Sequence, residues 1–475
     1  MDVHFEGYSL SQVLHSVYSS LSEYLLTKKI NTKIVGFQQY FDRILDADYN
    51  NLIVKNRLNY TEDPWFDVRP IVFLHDQEPI MFTGQKETWA KVRHKFSSFD
   101  RRMILLHSEK NSAELSQMCS ELGIIPCYWF SNAALAMEWY QDIQWELPTD
   151  SFINTSKIPQ LKYKFSGFNR LISHQRIYRP ILTAMVTDLV EPKYLRWSCS
   201  TVDPVSEMNA SQVPASVPER HKKLLERYVG ETDPVRINMN FWELDDDKKI
   251  QNTSYDSNRN YFKSTFCHVV TETLFYEPTL HLTEKTFRPI VNQRPFILAG
   301  PTGSLAYLRS YGFETFGEFW DESYDTIVDP HERLDAIAQL IAELNALDLD
   351  QMEIMLGKMN KVLAHNYHHF YNTFPKIVKD ELIQNLDNAV QEFQSSEWEG
   401  WIINTLKQTD DTRLARMLKL DEPENIHPDL VYNDLKNGSY DLAENNLHHF
   451  LRRFMNASKD DTKESLLATL TQVLK

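Results

Sequence analysis

The stretch from Phe266 to Asp325 reads FCHVVTETLFYEPTLHLTEKTFRPIVNQRPFILAGPTGSLAYLRSYGFETFGEFWDESYD. It begins with an apolar run of strand length that ends at Glu272, and Thr283 then stands where the N-cap residue of a helix is expected. A second apolar run, from Arg294 to Ala299, ends in the turn sequence GPTGS. This order of strand, loop, helix and strand predicts a parallel α/β sheet.

The helix that Thr283 opens carries charged side chains in its first turns. In open α/β sheets, ligands bind beyond the carboxyl ends of the strands, and a helix N-terminus offers N–H groups and a partial positive charge to phosphate. Glu284 is suited to accept two hydrogen bonds from a ribose diol, while Lys285 and Arg288 are suited to neutralise a diphosphate. Ordinary helix capping explains the same residue types, so both interpretations stay open at this stage.

Apolar runs on either side of this stretch extend the same pattern. The runs at 33–37, 71–74, 103–106 and 124–130 predict one α/β sheet, and those at 163–168, 194–199, 265–272 and 295–300 predict a second. The segment 201–219 is rich in Pro and Ser and is typical of a long surface loop or a lid. From about residue 335 onward, apolar residues recur at helical spacing.

The run PIVFLHDQEP, residues 70–79, places polar side chains directly after a predicted strand. An enzyme that transfers a group onto an acceptor hydroxyl needs a carboxylate or an imidazole to take the proton of that hydroxyl. His75, Asp76 and Glu78 are all candidates for that base. A solvated loop with one capping Asp explains the same residues.

The segment from Lys157 to Arg196 contains eight Lys or Arg residues against two acidic residues, in a chain whose formal net charge is -16. The local excess predicts a site for an anion, and Asn169, Arg170 and Arg176 follow a predicted strand there. A diphosphate fits these residues, and so does a nucleic-acid backbone. A solvated basic helix face is the alternative.

Bulk composition sets further limits. A length of 475 residues fits two domains with an appendage, and the acidic net charge disfavours loose binding to polyanions. The four cysteines have neither metal-type nor disulfide-framework spacing, which predicts buried free thiols in a reducing compartment. We expect a cytoplasmic protein without a membrane span, in the host cytoplasm if the chain is viral.

Metal-binding patterns are weak in this sequence. Residues 245–247 contain an Asp-x-Asp spacing that holds divalent metals in some glycosyltransferases, but they lie in a charged stretch typical of a solvated loop. His365, His368 and His369 lie among aromatic residues, which favours packing over metal binding. We therefore expect no cofactor and no required metal.

Three of these stretches together resemble the α-1,3-fucosyltransferase-like group of inverting GT-B glycosyltransferases and related phage and bacterial proteins. The matching parts are Val270-Thr271-Glu272-Thr273, Leu282-Thr283-Glu284-Lys285, and the strand before Gly300. Where the family has Asn-Ser after its first Glu, this chain has Thr273-Leu274, so fucose and GDP do not follow from the likeness.

The resemblance implies that Glu284 and Lys285 bind the ribose and the phosphates of a nucleotide-sugar, with Glu272 near the donor. The family's glutamate base occupies a Glu-Ser-Pro sequence, which Glu78-Pro79 matches without the middle residue, so Glu78 and Asp76 both stay candidates. The family's phosphate-binding segment is similar to Gly167-Phe168-Asn169 with Arg176.

The combined prediction is an α/β protein of GT-B type, with two Rossmann-like domains that face a cleft. Residues 1–155 would form the acceptor and base domain, 156–385 the donor domain, and 386–475 a helical appendage. The expected activity is inverting transfer of a hexose or pentose from a nucleotide-sugar donor, without metal, onto a glycan or a hydroxymethylated base of phage DNA. The alternatives are a non-catalytic nucleotide- or sugar-binding module and an assembly protein that works through its helical tail.

Overall fold

The computed structural model describes residues 33–37, 71–75, 79, 103–140, 160–169, 171–172, 176–199, 214–228, 235–237 and 262–393. The chain divides into two compact units. Unit 1 comprises 1–108, 113–131 and 380–475, and unit 2 comprises 109–112 and 132–379. Neither unit is one continuous stretch of chain. The domain boundaries expected after residues 155 and 385 stay predictions.

Nine strands form two sheets among the described residues. They are β1 (Lys33–Phe37), β2 (Ile71–His75), β3 (Met103–His107), β4 (Ile124–Tyr128), β5 (Tyr163–Asn169), β6 (Leu195–Cys199), β7 (Val235–Ile237), β8 (Thr265–Thr271) and β9 (Phe296–Ala299). The two sheets confirm both predicted series of apolar runs. The short strand β7 was not predicted.

The first sheet lies in unit 1 and has the order β1-β2-β3-β4, with every neighbouring pair parallel. The second sheet lies in unit 2 and has the order β7-β6-β5-β8-β9, with β7 antiparallel to β6 and the other pairs parallel. Parallel sheets joined by helices confirm the α/β class and are consistent with Rossmann-like folds.

The helix after Thr283 and the helical region from about residue 335 are confirmed among the described residues. The described helices are α1 (Ala113–Leu122), α2 (Ser131–Trp139), α3 (Tyr178–Leu189), α4 (Glu219–Tyr228), α5 (Glu284–Val291), α6 (Ser304–Ser310), α7 (Pro330–Asn345), α8 (Leu349–Lys358), α9 (Asn360–His368) and α10 (Phe374–Phe393). Helix α7 begins after Asp329, whose carboxylate accepts hydrogen bonds from the backbone N–H groups of His331 and Glu332. The tail from residue 394 and the loop at 201–213 lie outside the described residues.

Strand β8 is buried along its whole length, as the continuous apolar run predicts for a central parallel strand. Its one polar ring, His268, is satisfied inside the sheet because Nδ1 lies 2.8 Å from the Ser166 hydroxyl on β5. All four cysteines are buried and free, as predicted. Strands β5 and β8 are parallel neighbours, so their carboxyl ends lie side by side in the sheet.

Candidate functional site

The strand order of the second sheet reverses direction at its centre. From β5 the chain adds β6 and β7 on one side, and then adds β8 and β9 on the other. Such a reversal is a topological switch point, and ligands of open α/β sheets bind just outside the carboxyl ends of the two strands that flank it. These ends are Asn169 on β5 and Thr271 on β8.

Asn169 connects three neighbouring strands at this point. Its Oδ1 accepts a 2.6 Å hydrogen bond from the Thr271 hydroxyl on β8, and its Nδ2 donates to the Ser198 carbonyl on β6 at 3.3 Å. The side chain is 5 % exposed. The structure therefore places Asn169 at the predicted edge and gives its amide a cross-linking task, while its role in donor binding stays a prediction.

Glu272 follows β8 directly and is fully buried. Its Oε1 accepts hydrogen bonds from the Thr283 backbone N–H at 3.0 Å and from the Thr286 hydroxyl at 2.5 Å. Its Oε2 accepts from the Thr283 hydroxyl at 2.6 Å and from the Thr273 N–H at 3.2 Å. Four donors satisfy this buried carboxylate, so its geometry suits it to positioning the start of α5.

Two residues that the sequence did not indicate, Tyr178 and Arg179, form hydrogen bonds to the backbone at the end of β8. Arg179 donates to the carbonyls of Leu171, Thr271 and Glu272 at 2.8, 3.1 and 2.8 Å. Tyr178 donates to the Glu272 carbonyl at 2.5 Å. A Tyr-Arg pair in the first turn of the otherwise apolar helix YRPILTAMV was the available signal, because polar side chains on a buried helix need internal partners.

Thr283 is the N-cap residue of α5, as predicted, and its hydroxyl accepts from the Lys285 N–H at 3.4 Å. The Lys285 ammonium lies 2.9 Å from Glu284 Oε1 and 3.1 Å from the Thr283 hydroxyl. The side chain of Lys285 is 26 % exposed, whereas that of Glu284 is 7 % exposed. Lys285 is therefore the charge within reach of solvent among the predicted donor-binding residues that the structure describes.

Two buried arginines add positive charge to the same region. Burial raises the pKa of Tyr140 to about 12, and the charge and hydrogen bond of Arg288 oppose that rise. Burial also lowers the pKa of His268 to about 3, with a smaller contribution from Arg288. The charge of Arg176, which immediately precedes α3, acts in the same way on Tyr178. Arg288 therefore acts on Tyr140 and His268, and Arg176 acts on Tyr178, while their roles in donor binding stay predictions.

The turn after β9 leads directly into α6. Gly303 adopts a left-handed conformation at φ 81°, so this position favours glycine. The N–H groups of Leu305 and Ala306 donate to the Asp325 carboxylate at 3.0 and 3.2 Å. The Asp325 carboxylate therefore binds the backbone N–H groups at the start of α6.

Several described basic residues of the segment 157–196 have partners within the chain. Lys164 donates to the Asn345 carbonyl at 2.6 Å, and Arg179 is committed to three carbonyls. Lys193 pairs with Glu191 at 2.7 Å, and the Arg196 guanidinium lies over the Tyr163 ring. Internal contacts thus hold Lys164 and Arg179, whereas the pair of Lys193 with Glu191 is exposed.

Several predicted residues lie outside the described residues: Asp76, Glu78, Arg170 and residues 245–247. Asp76 and Glu78 follow the carboxyl end of β2 in the sequence. The rings of His365 and His369 bond through Nε2 to the backbone carbonyls of Gly312 and Tyr311 at 2.9 and 2.7 Å, which confirms that these two histidines serve packing.

Comparisons with protein-family models, curated proteins and solved structures find no match. Within the described ranges, no three His, Cys, Asp or Glu side chains are grouped so that they could hold a metal ion. No helix in the same ranges combines the length and the apolar character that crossing a membrane requires.

Proposed function

We propose that this chain is a glycosyltransferase that moves a sugar from a nucleotide-diphosphate donor to an acceptor hydroxyl, with inversion at the anomeric carbon. One observation carries the proposal. Asn169, Glu272 and Lys285, which the sequence singled out as donor-binding residues, lie at the carboxyl edge of the second sheet, around its switch point. That edge is where open α/β sheets bind nucleotides.

In this proposal the start of α5 binds the nucleoside diphosphate. Lys285 and the positive end of the helix dipole neutralise the phosphates, and Glu284 accepts the ribose hydroxyls. The ion pair between Lys285 and Glu284 in the ligand-free protein is then exchanged for contacts with the donor. Glu272 and Arg179 position these groups through their hydrogen bonds to Thr283, Thr286 and the carbonyls of Thr271 and Glu272.

The proposed reaction is a single displacement. Glu78 or Asp76 takes the proton from the acceptor hydroxyl while the hydroxyl oxygen bonds to the anomeric carbon. The bond from that carbon to the diphosphate breaks, and Lys285, Arg176 and the N–H groups of α5 stabilise the negative charge on the departing diphosphate. The architecture that we propose with this mechanism is GT-B, with the base among the residues that follow β2 in the sequence.

For the acceptor, we favour a glycan hydroxyl over a hydroxymethylated base of DNA. The DNA alternative depends on the basic segment 157–196, and Lys164 and Arg179 in that segment already have internal partners. A DNA acceptor predicts duplex binding that weakens steeply as salt rises. We expect no such binding.

Donor turnover tests the proposal. UDP-, GDP- and dTDP-sugars are incubated with the full chain, and release of the nucleoside diphosphate is measured with and without glycan acceptors. We expect turnover of at least one donor, lost in Lys285→Ala and retained in Lys193→Ala. Tight binding of a nucleotide without turnover of any donor would instead support the non-catalytic binding module.

A further inference from the structure

The loop between β8 and α5 contains two consecutive polar residues whose outer atoms are buried and unsatisfied. Tyr276 Oη and Glu277 Oε2 have no hydrogen-bond partner in the described part of the chain. Buried polar atoms in proteins are nearly always paired, because leaving them unpaired costs free energy. Backbone N–H groups of the loop bond to the Glu277 carboxyl, but its Oε2 stays unpaired. An unpaired phenol oxygen beside one unpaired carboxylate oxygen indicates a place where a bound molecule supplies the partners.

The loop that carries this pair is held in place. The ring of Phe275 stacks on that of Tyr178 with centroids 4.2 Å apart, and the Arg333 guanidinium donates to the Phe275 carbonyl. Farther along the loop, the Leu280 carbonyl accepts from the Lys110 N–H at 3.1 Å. Tyr276 and Glu277 thus lie on a preorganised segment, which lowers the conformational entropy that the loop itself loses when a ligand binds.

Both residues lie close in sequence to the proposed donor site. The loop leaves the carboxyl end of β8, the strand that flanks the switch point, and returns at Thr283. Burial raises the pKa of the Glu277 carboxyl, and the charge of Arg176, a predicted phosphate-binding residue, partly opposes that rise. A ligand with its diphosphate near Lys285 and Arg176 would therefore have its sugar in the neighbourhood of this loop.

The chemistry of the pair matches a sugar. An ionised carboxylate oxygen only accepts hydrogen bonds, whereas a phenol both donates and accepts. Burial raises the pKa of Tyr276 well above its ordinary range, so the phenol keeps its proton at neutral pH. A ligand that satisfies both atoms must present a hydroxyl donor to Glu277 and a second oxygen to Tyr276, as the neighbouring hydroxyl groups of a pyranose or furanose do.

We propose that Tyr276 and Glu277 form the subsite for the transferred sugar, with Glu277 Oε2 accepting from one sugar hydroxyl and Tyr276 Oη bonding to another. This inference rests on the proposed function and deepens it, because it names the part of the donor that these two residues bind. The subsite sets the preference for one sugar over another and adds nothing to the binding of the nucleotide part.

Isothermal titration with matched ligands tests the subsite. The pairs are UDP-glucose with UDP, GDP-mannose with GDP, and dTDP-glucose with dTDP. For the pair that binds, we expect E277Q and Y276F to weaken the nucleotide-sugar about 10-fold or more, which is the loss typical of a hydrogen bond that involves a charged group or a buried phenol. Binding of the nucleoside diphosphate should stay within about twofold of the wild type in both variants.

Thermal unfolding supplies a second measurement that a purely structural role would move in the opposite direction. Because neither buried atom has a partner to lose, we expect the Tm of Y276F and E277Q to equal or exceed that of the wild type. The exposed Glu318→Gln serves as the matched control and should change neither the affinity nor the Tm.

The possible failures are distinguishable. Unchanged affinity for the nucleotide-sugar in both variants, with diphosphate binding intact, would overturn the subsite and leave the proposed function standing. Equal weakening of both ligands together with a lower Tm would assign the pair to loop packing and would also overturn the subsite. A wild-type protein that binds no nucleoside diphosphate would overturn the proposed function, and the subsite with it.

Discussion

The Thr283 hydroxyl donates a 2.6 Å hydrogen bond to Oε2 of Glu272, which joins the first residue after β8 to the N-cap residue of α5. The two residues are eleven positions apart in the chain. The same Thr283 oxygen accepts from the Lys285 ammonium at 3.1 Å. One short chain of contacts therefore runs from a fully buried carboxylate to the partly exposed cation of the candidate site.

Replacing Glu272 with Ala should destabilise unit 2 strongly. The substitution leaves four buried donors without an acceptor, and we expect a loss of about 3 kcal/mol in the free energy of unfolding. Urea unfolding followed by circular dichroism measures it. Thr286→Val, which removes one donor and keeps the shape, should cost about 1 kcal/mol. The exposed Glu343→Ala is the control, and a Glu272→Ala loss no larger than that of the control would contradict the positioning role.

Replacing Lys285 with Ala should leave stability almost unchanged. An ion pair with one partly exposed member contributes less than about 1 kcal/mol, because solvent screens it. We expect a Tm within a few degrees of the wild type. Lys193→Ala removes a similar Lys-Glu pair at 2.7 Å and provides the comparison. A much larger loss in Lys285→Ala would show that the side chain serves packing more than ligand binding.

Acid should destabilise the second sheet through His268. Burial lowers the pKa of this ring from 6.5 to about 3. Between these two pH values the ring is therefore mostly neutral in the folded chain and mostly protonated in the unfolded chain. The stabilisation is complete above pH 6.5 and is lost as the pH falls toward 3. Between pH 7.5 and 5.0 the loss should be about 2 kcal/mol. His268→Asn should show a shallower pH dependence in urea unfolding, and equal slopes in the two proteins would rule out this cause.

The general base is predicted to be Glu78 or Asp76. Removing the base should lower donor turnover by about 10²- to 10⁴-fold, because proton transfer in the transition state is lost. The variants Glu78→Gln and Asp76→Asn are compared in turnover assays, with Gln77→Ala as the neighbouring control. Nucleoside diphosphate affinity should stay unchanged in all three. Full turnover in both acidic-residue variants would require a different base.

Much of the fold could be predicted because its signals are local. The apolar runs predicted eight of the nine strands, and Thr283 showed its N-cap position through its own residue type. The three-residue strand β7 was missed because it is too short to show a period. The histidines at 365 and 369 could be assigned to packing from their aromatic neighbours alone.

The fine structure of the site could not be predicted, because it depends on donors and acceptors that are distant in sequence. Nothing near Leu305 indicates that Asp325, twenty residues later, takes the free N–H groups of α6. Nor does the local sequence reveal that the guanidinium of Arg179 binds carbonyls on β8 and is thereby unavailable to an anion. Residue types and their spacing predicted polar groups at the carboxyl edge of the second sheet. Which of these groups already have hydrogen-bond partners within the chain depends on the three-dimensional fold.

Isothermal titration of UDP, GDP and dTDP into the wild type, Lys285→Ala and Lys193→Ala tests the central claim most directly. The claim predicts that at least one diphosphate binds the wild type with one site per chain, binds Lys285→Ala about 10-fold or more weakly, and binds Lys193→Ala with unchanged affinity. Absence of binding to the wild type, or equal affinity in Lys285→Ala, would contradict a nucleotide site at the start of α5.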